Sequence, residues 1–135
     1  CSSDLDVPRG EWLNGRLLPL ERRLDADDLR RGALAGCLEL LQNGVTTIAD
    51  RYGHMDAVAT AVEASGLRAV VGHSLFDRTA ASDLAHAERL IDRLGTDPGR
   101  SRVWAGLAPH ATDTCGPDLL RRVRRLAART ALGVR

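Results

Sequence analysis

The 135-residue sequence contains no lysine. Its 19 basic residues are all arginine, they face 18 acidic residues, and the formal net charge is +1. I.e. neither a Schiff-base lysine nor a carboxylated-lysine metal bridge can form within the chain. The balanced charge excludes a broad basic footprint for nucleic acid. Aromatic residues amount to 3%, so a core has to be assembled from Leu, Val, Ala and Ile. No apolar run is long enough to span a membrane, and no secretory signal pattern is present. Cysteine is scarce: Cys1, Cys37 and Cys115 are odd in number and widely spaced. That excludes a disulfide framework and a CxxC zinc site, and points to a cytoplasmic protein. GxGxxG, Walker and GxSxG patterns are all missing.

Hydrophobic residues make up 44% of the chain, enough for one modest globular unit. Residues 1–24 read as an irregular loop segment, punctuated by Pro8, Gly10, Gly15 and Pro19. The start at Cys1 rather than methionine suggests a processed chain or a piece of a longer one. Cys1-Ser2-Ser3 also resembles the start of a lipidated protein, a reading ranked below the cytoplasmic one. From residue 25 to 135 helix and strand signals alternate. Asp25 or Asp27 caps a helix carrying Leu29, Ala33, Leu34, Cys37, Leu38 and Leu41, and Asn43-Gly44 stops it. Val45–Asp50 reads as a strand, Asp56–Ala64 as a helix and Leu67–His73 as a second strand. Ser82 or Asp83 caps the next helix. A third strand is expected over Arg102–Ala108, then a helix from Pro117, and a further strand at Val134-Arg135.

This alternation with short links implies parallel strands joined by crossover helices. Two architectures fit, a doubly wound open sheet and a (β/α) barrel; a whole barrel needs about 250 residues, so about three strand–helix units would make a partial (β/α)8 TIM-type barrel. A small flavodoxin-like module is the weaker alternative, because no phosphate-binding loop is present.

In such folds the chemistry lies at the carboxyl ends of the strands. Each expected strand has a histidine there: His54, His73 and His110. The three could form a metal site, but none of their spacings is a local ligand pair. Each also fits an ordinary loop histidine. His86 sits on a helix and is expected to face solvent. Cys115 near His110 raises a weak Cys–His nucleophile reading. Arg121, Arg122, Arg124 and Arg125 read as a solvated helix face.

A longer pattern joins these pieces. It runs through Trp12-Leu13, Leu18-Pro19-Leu20-Glu21, Gln42-Asn43-Gly44 and Val45-Thr46-Thr47-Ile48-Ala49-Asp50. It continues with His54-Met55-Asp56, Ser65-Gly66-Leu67-Arg68, Pro109-His110 and Thr114-Cys115-Gly116-Pro117. The chain thereby resembles the amidohydrolase superfamily, in the branch with methylthioadenosine/S-adenosylhomocysteine deaminases and triazine chlorohydrolases. The resemblance implies a barrel hydrolase in which Zn²⁺ or Fe²⁺ activates water against a ring carbon. It places the ligands (an HxH, two further histidines and an aspartate) outside this stretch, so no metal is expected to be held by this chain alone and no catalytic residue falls within it. Glu21 matches a carboxylate that binds sugar hydroxyls, and His110 a histidine facing the substrate. His73 stands where deaminases of adenosylhomocysteine carry arginine, so a smaller or less anionic nitrogen heterocycle is expected as the small-molecule substrate. The rival expectation is a non-catalytic remnant that forms a homo-oligomer or pairs with a partner to cover its sheet edges.

Overall fold

The structure is a computed structural model describing residues 7–130 and Leu132. It begins with a helical stretch made of α1 (Arg9–Trp12), a π-helical turn (Leu13–Leu17) and α2 (Leu18–Glu21). Helix α3 (Ala26–Gln42) starts at a complete capping box. The Asp25 carboxylate accepts the N–H groups of Asp27 and Asp28, both at 2.9 Å, and Asp28 accepts the N–H of Asp25 at 3.3 Å. These bonds satisfy donors that the first turn leaves open. Gly44, at φ +78°, turns the chain out of the helix.

Strand β1 (Thr47–Tyr52), helix α4 (Met55–Ser65) and strand β2 (Arg68–Leu75) follow. A 3₁₀ turn (Asp77–Thr79) leads into α5 (Ala80–Leu94), and then come β3 (Val103–Ala105), β4 (Ala108–Pro109) and α6 (Pro117–Arg129). Strand β2 is central and every pairing is parallel: Tyr52 is level with His73, Val71 with Ala105, and Leu75 with Pro109. The carboxyl ends of β1, β2 and β4 therefore lie at one end of the sheet.

Alternation along β2 divides its side chains between two faces. Ala69, Val71 and Leu75 are fully buried in the core with Val62, Leu90 and Leu119. Val70 and Gly72, on the other face, line an open hollow of about 390 Å³ with Arg51 and Ala108. The strands approach closely there. A Cβ on Gly72 would lie 2.8 Å from the Ala108 Cβ, and one on Gly106 would lie 2.8 Å from Val70 Cγ2.

The structure corrects the expected irregular segment over 1–24: residues 9–21 are helical. Pro19 is tolerated because it occupies the first turn of α2, where no N–H is needed. The wider π turn closes before it, with Leu18 N–H donating to the Leu13 carbonyl. The expected third strand is split in two at Gly106, whose N–H still donates to the Val71 carbonyl at 2.8 Å. Helix α5 begins at Ala80, ahead of the expected caps, because the 3₁₀ turn feeds directly into it. The first strand runs two residues further than expected, to Tyr52. Cys1 and the strand expected at Val134-Arg135 lie outside the described residues.

Candidate functional site

Glu21 ends α2, and its carboxylate lies near the phenol of Tyr52, a residue 37% exposed at the carboxyl end of β1. Burial first, and then the hydrogen bond to Glu21 and its negative charge, push the Tyr52 hydroxyl up to about 12. The phenol thus stays protonated at neutral pH. The lone pairs of Glu21 can accept hydrogen bonds.

His73 lies level with Tyr52, but its ring turns to the helix side of the sheet. There it lines a cavity of about 220 Å³ with His54, Met55, His86 and Arg89. Its Nε2 lies 3.5 Å from Asp83 Oδ1, and its ring stacks on His86 with centroids 4.7 Å apart. Asp83 is 8% exposed. Its other oxygen accepts the Thr79 hydroxyl at 2.6 Å and the Phe76 N–H at 3.1 Å, so the carboxylate is held between β2 and α5. Burial lowers the His73 pKa, the neighbouring His86 adds to this, and Asp83 opposes it. The result is a neutral imidazole near pH 7. His86 is exposed, as expected from its helix position, and its Nδ1 donates to the Ser82 carbonyl at 2.8 Å.

His110 follows β4. Its N–H donates to the Leu75 carbonyl at 3.1 Å, its Nδ1 is 2.9 Å from the Thr114 hydroxyl, and its ring packs on Phe76 at 4.6 Å. Glu21, His73 and His110 all stand at the carboxyl end of the sheet, in three separate clusters. The imagined His54–His73–His110 metal site is not assembled, because His73 engages Asp83 and His110 engages Thr114 and Phe76. Among the described residues, no three His, Cys, Asp or Glu side chains converge where a metal ion would fit. Cys115 is buried and its Sγ donates to the Leu75 carbonyl at 3.2 Å. Cys37 is likewise buried, and Arg121, Arg122, Arg124 and Arg125 are exposed.

Residues 2–135 match the sequence pattern of the amidohydrolase family. The chain belongs to the amidohydrolase family. It is 39% identical to a 5'-deoxyadenosine deaminase of Methanosarcina barkeri over 96% of its own length and 31% of that protein's. It is 37% identical to a 5-methylthioadenosine/S-adenosylhomocysteine deaminase of Pelotomaculum thermopropionicum, again over 96% of this chain and 30% of the relative. This amidohydrolase chain thus spans about a third of the length of the curated relatives it matches. Among solved structures, atrazine chlorohydrolase from Arthrobacter aurescens, complexed with zinc, superposes with a TM-score of 0.77 at 22% identity. That superposition covers 91% of this chain and 33% of the other. It establishes the fold as part of the parallel α/β barrel of the family. No described helix is long and apolar enough to cross a membrane.

Sequence reading missed the partners of the candidate residues. Nothing local ties Tyr52 to Glu21, or Asp83 to His73. Thr114 was within reach, because it follows His110 by one turn's spacing in a short loop.

Proposed function

We propose that this chain forms the substrate-binding side of a metal-dependent amidohydrolase that removes ammonia from a nitrogen heterocycle, with a purine nucleoside as the preferred class. The placement of Glu21 carries this reading. Its carboxylate stands beside the protonated Tyr52 at the end of β1, and its lone pairs suit the two hydroxyls of a vicinal diol. His110 meets the heterocycle from the end of β4. His73 stands on the helix side of the sheet; neutral and engaged by Asp83, it does not clamp a carboxylate as an arginine fork does. This favours a 5'-substituent without negative charge, in keeping with the 5'-deoxyadenosine deaminases among the relatives.

The described residues supply no ligand set for Zn²⁺ or Fe²⁺. In this reading the metal and the proton-shuttling carboxylate come from the rest of a complete barrel, and the isolated 135-residue chain is inactive. The roles of Glu21, His110 and Tyr52 are binding and orientation.

Two exposed surfaces favour completion by further polypeptide. Leu34, Leu38 and Leu41 of α3 are 40%, 58% and 40% exposed, and β1 is a sheet edge. Edges and apolar faces of this kind are normally covered. The second reading, a non-catalytic unit that covers them by self-association, rests on the same surfaces. Deamination assays on the full chain, meaning the complete barrel polypeptide that contains these 135 residues, with matched nucleosides that have or lack the ribose diol, test the first reading. Release of ammonia from the diol-bearing substrate supports it; a stable oligomer of the 135-residue chain with no activity in the full chain supports the second.

A further inference from the structure

Phe76 follows β2 and His110 follows β4, and their rings pack with centroids 4.6 Å apart. Two separate loops must therefore keep one geometry for this contact to persist. Asp77, the next residue after Phe76, bonds the second loop twice. Its N–H donates to the Thr114 carbonyl at 3.0 Å, and its Oδ2 accepts the Gly116 N–H at 2.7 Å. Cys115 lies between those two points, and its Sγ donates to the Leu75 carbonyl at 3.2 Å.

The second of these bonds falls at a helix start. Helix α3 is capped by its own Asp25, whereas Gly116, the N-cap residue of α6, has no side chain with which to cap it. Pro117, at the first helical position, has no N–H. The Asp77 carboxylate supplies from the other loop the negative oxygen that a helix start favours. The bare glycine belongs to the arrangement. A Cβ on Gly116 would lie 2.9 Å from Asp77 Oδ2, so a larger residue there displaces the carboxylate. One side chain thus joins the end of β2, the loop after β4 and the start of α6.

We propose that Asp77 is a positioning residue: its carboxylate clasps the Gly116 N–H and so holds the Phe76–His110 pair in one arrangement before a substrate arrives. Loops released from the clasp hold that arrangement for only part of the time, and apparent affinity falls by that fraction. That the pair faces a substrate rests on the proposed function; the clasp does not.

The test uses the full chain. Labelling with ¹³C-carbonyl cysteine and ¹⁵N-glycine picks out the Gly116 amide, since Cys115-Gly116 is the only Cys-Gly pair in these 135 residues, and its signal is absent in Gly116→Ala. Without substrate this amide is expected to resist hydrogen exchange, to lose that protection in Asp77→Ala and to keep it in Asp77→Asn, whose side-chain carbonyl still accepts. With a diol-bearing purine nucleoside, KM rises roughly two- to thirtyfold in Asp77→Ala, the worth of a helix cap, while kcat is kept. Asp77→Asn restores KM. Gly116→Ala raises KM as Asp77→Ala does, and the two together do no more than either alone. A purely structural role would reduce the folded fraction, so kcat would fall at constant KM; that outcome overturns the inference. So does a Gly116 amide that exchanges freely in the unsubstituted protein, a result that needs no variant of Asp77 and cannot be hidden by loss of folding in one. Absence of deamination with the Gly116 amide protected counts against the proposed function and leaves the clasp standing.

Discussion

Tyr52 is the only tyrosine in the chain, which makes its phenol directly readable by ultraviolet absorbance. The titration midpoint is expected near 12 rather than 10.0. Glu21→Gln lowers it only part of the way, because burial is the larger cause. A midpoint at 10 in the unsubstituted protein would mean that neither burial nor Glu21 acts on the phenol. The sign for stability follows: the folded phenol binds its proton more tightly than the unfolded one. Its contribution is full below pH 10 and is lost as pH rises toward 12. His73 behaves oppositely. Its folded pKa lies below the ordinary histidine value of 6.5, so the unfolded chain takes up the proton first. The contribution of His73 is present above pH 6.5 and is lost as pH falls through the lower folded value. NMR titration should place its midpoint below 6.5, and His73→Gln should flatten the acid limb of the stability curve. A midpoint at or above 6.5 would show that Asp83 outweighs burial. Glu21, His73 and His110 were visible in the sequence by residue type and by position after a strand. The partners of Glu21 and His73 were not, because a contact across the fold leaves no local spacing to read.

The elements that were legible are those whose ends carry their own chemistry. Asp25 with Asp28 marks the start of α3, and Gly44 and Gly66 take the positive φ that ends α3 and α4. The helix over 9–21 was hidden because Gly10, Gly15 and Pro19 signal loops unless Pro19 falls in a first turn, and the π turn that allows this has no sequence mark. The break between β3 and β4 was hidden for a related reason. Gly106 reads as part of an apolar run, and only the close approach of Val70 and Ala108 to the neighbouring glycines explains why side chains are missing there. Gly72→Ala tests that packing. Its Cβ would meet the Ala108 Cβ at 2.8 Å and the Gly106 carbonyl at 3.1 Å, so a loss of about 1–3 kcal/mol is expected in denaturant unfolding. A neutral or stabilising effect would show that β2 and β4 can separate without cost.

At the scale of the molecule, parallel strands around β2 with helices on one face and an open hollow on the other form about a third of the relatives' length. Alternating strands and helices with short links left a doubly wound open sheet or a barrel, and the resemblance to the amidohydrolase superfamily pointed to part of a barrel. The sequence pattern could not show which side chains face the hollow and which face the helices, because that depends on strand register. The most direct measurement of the central claim is steady-state deamination by the full chain of a 5'-deoxy purine nucleoside, with and without Glu21→Ala. The account predicts ammonia release and a rise in KM of roughly ten- to a hundredfold in the variant, since a hydrogen bond to a charged group is worth about 1.5–3 kcal/mol. The loss should vanish for an analogue lacking the ribose diol. Equal kinetics for the two proteins on the diol-bearing substrate, or no deamination by the unsubstituted full chain, would contradict it.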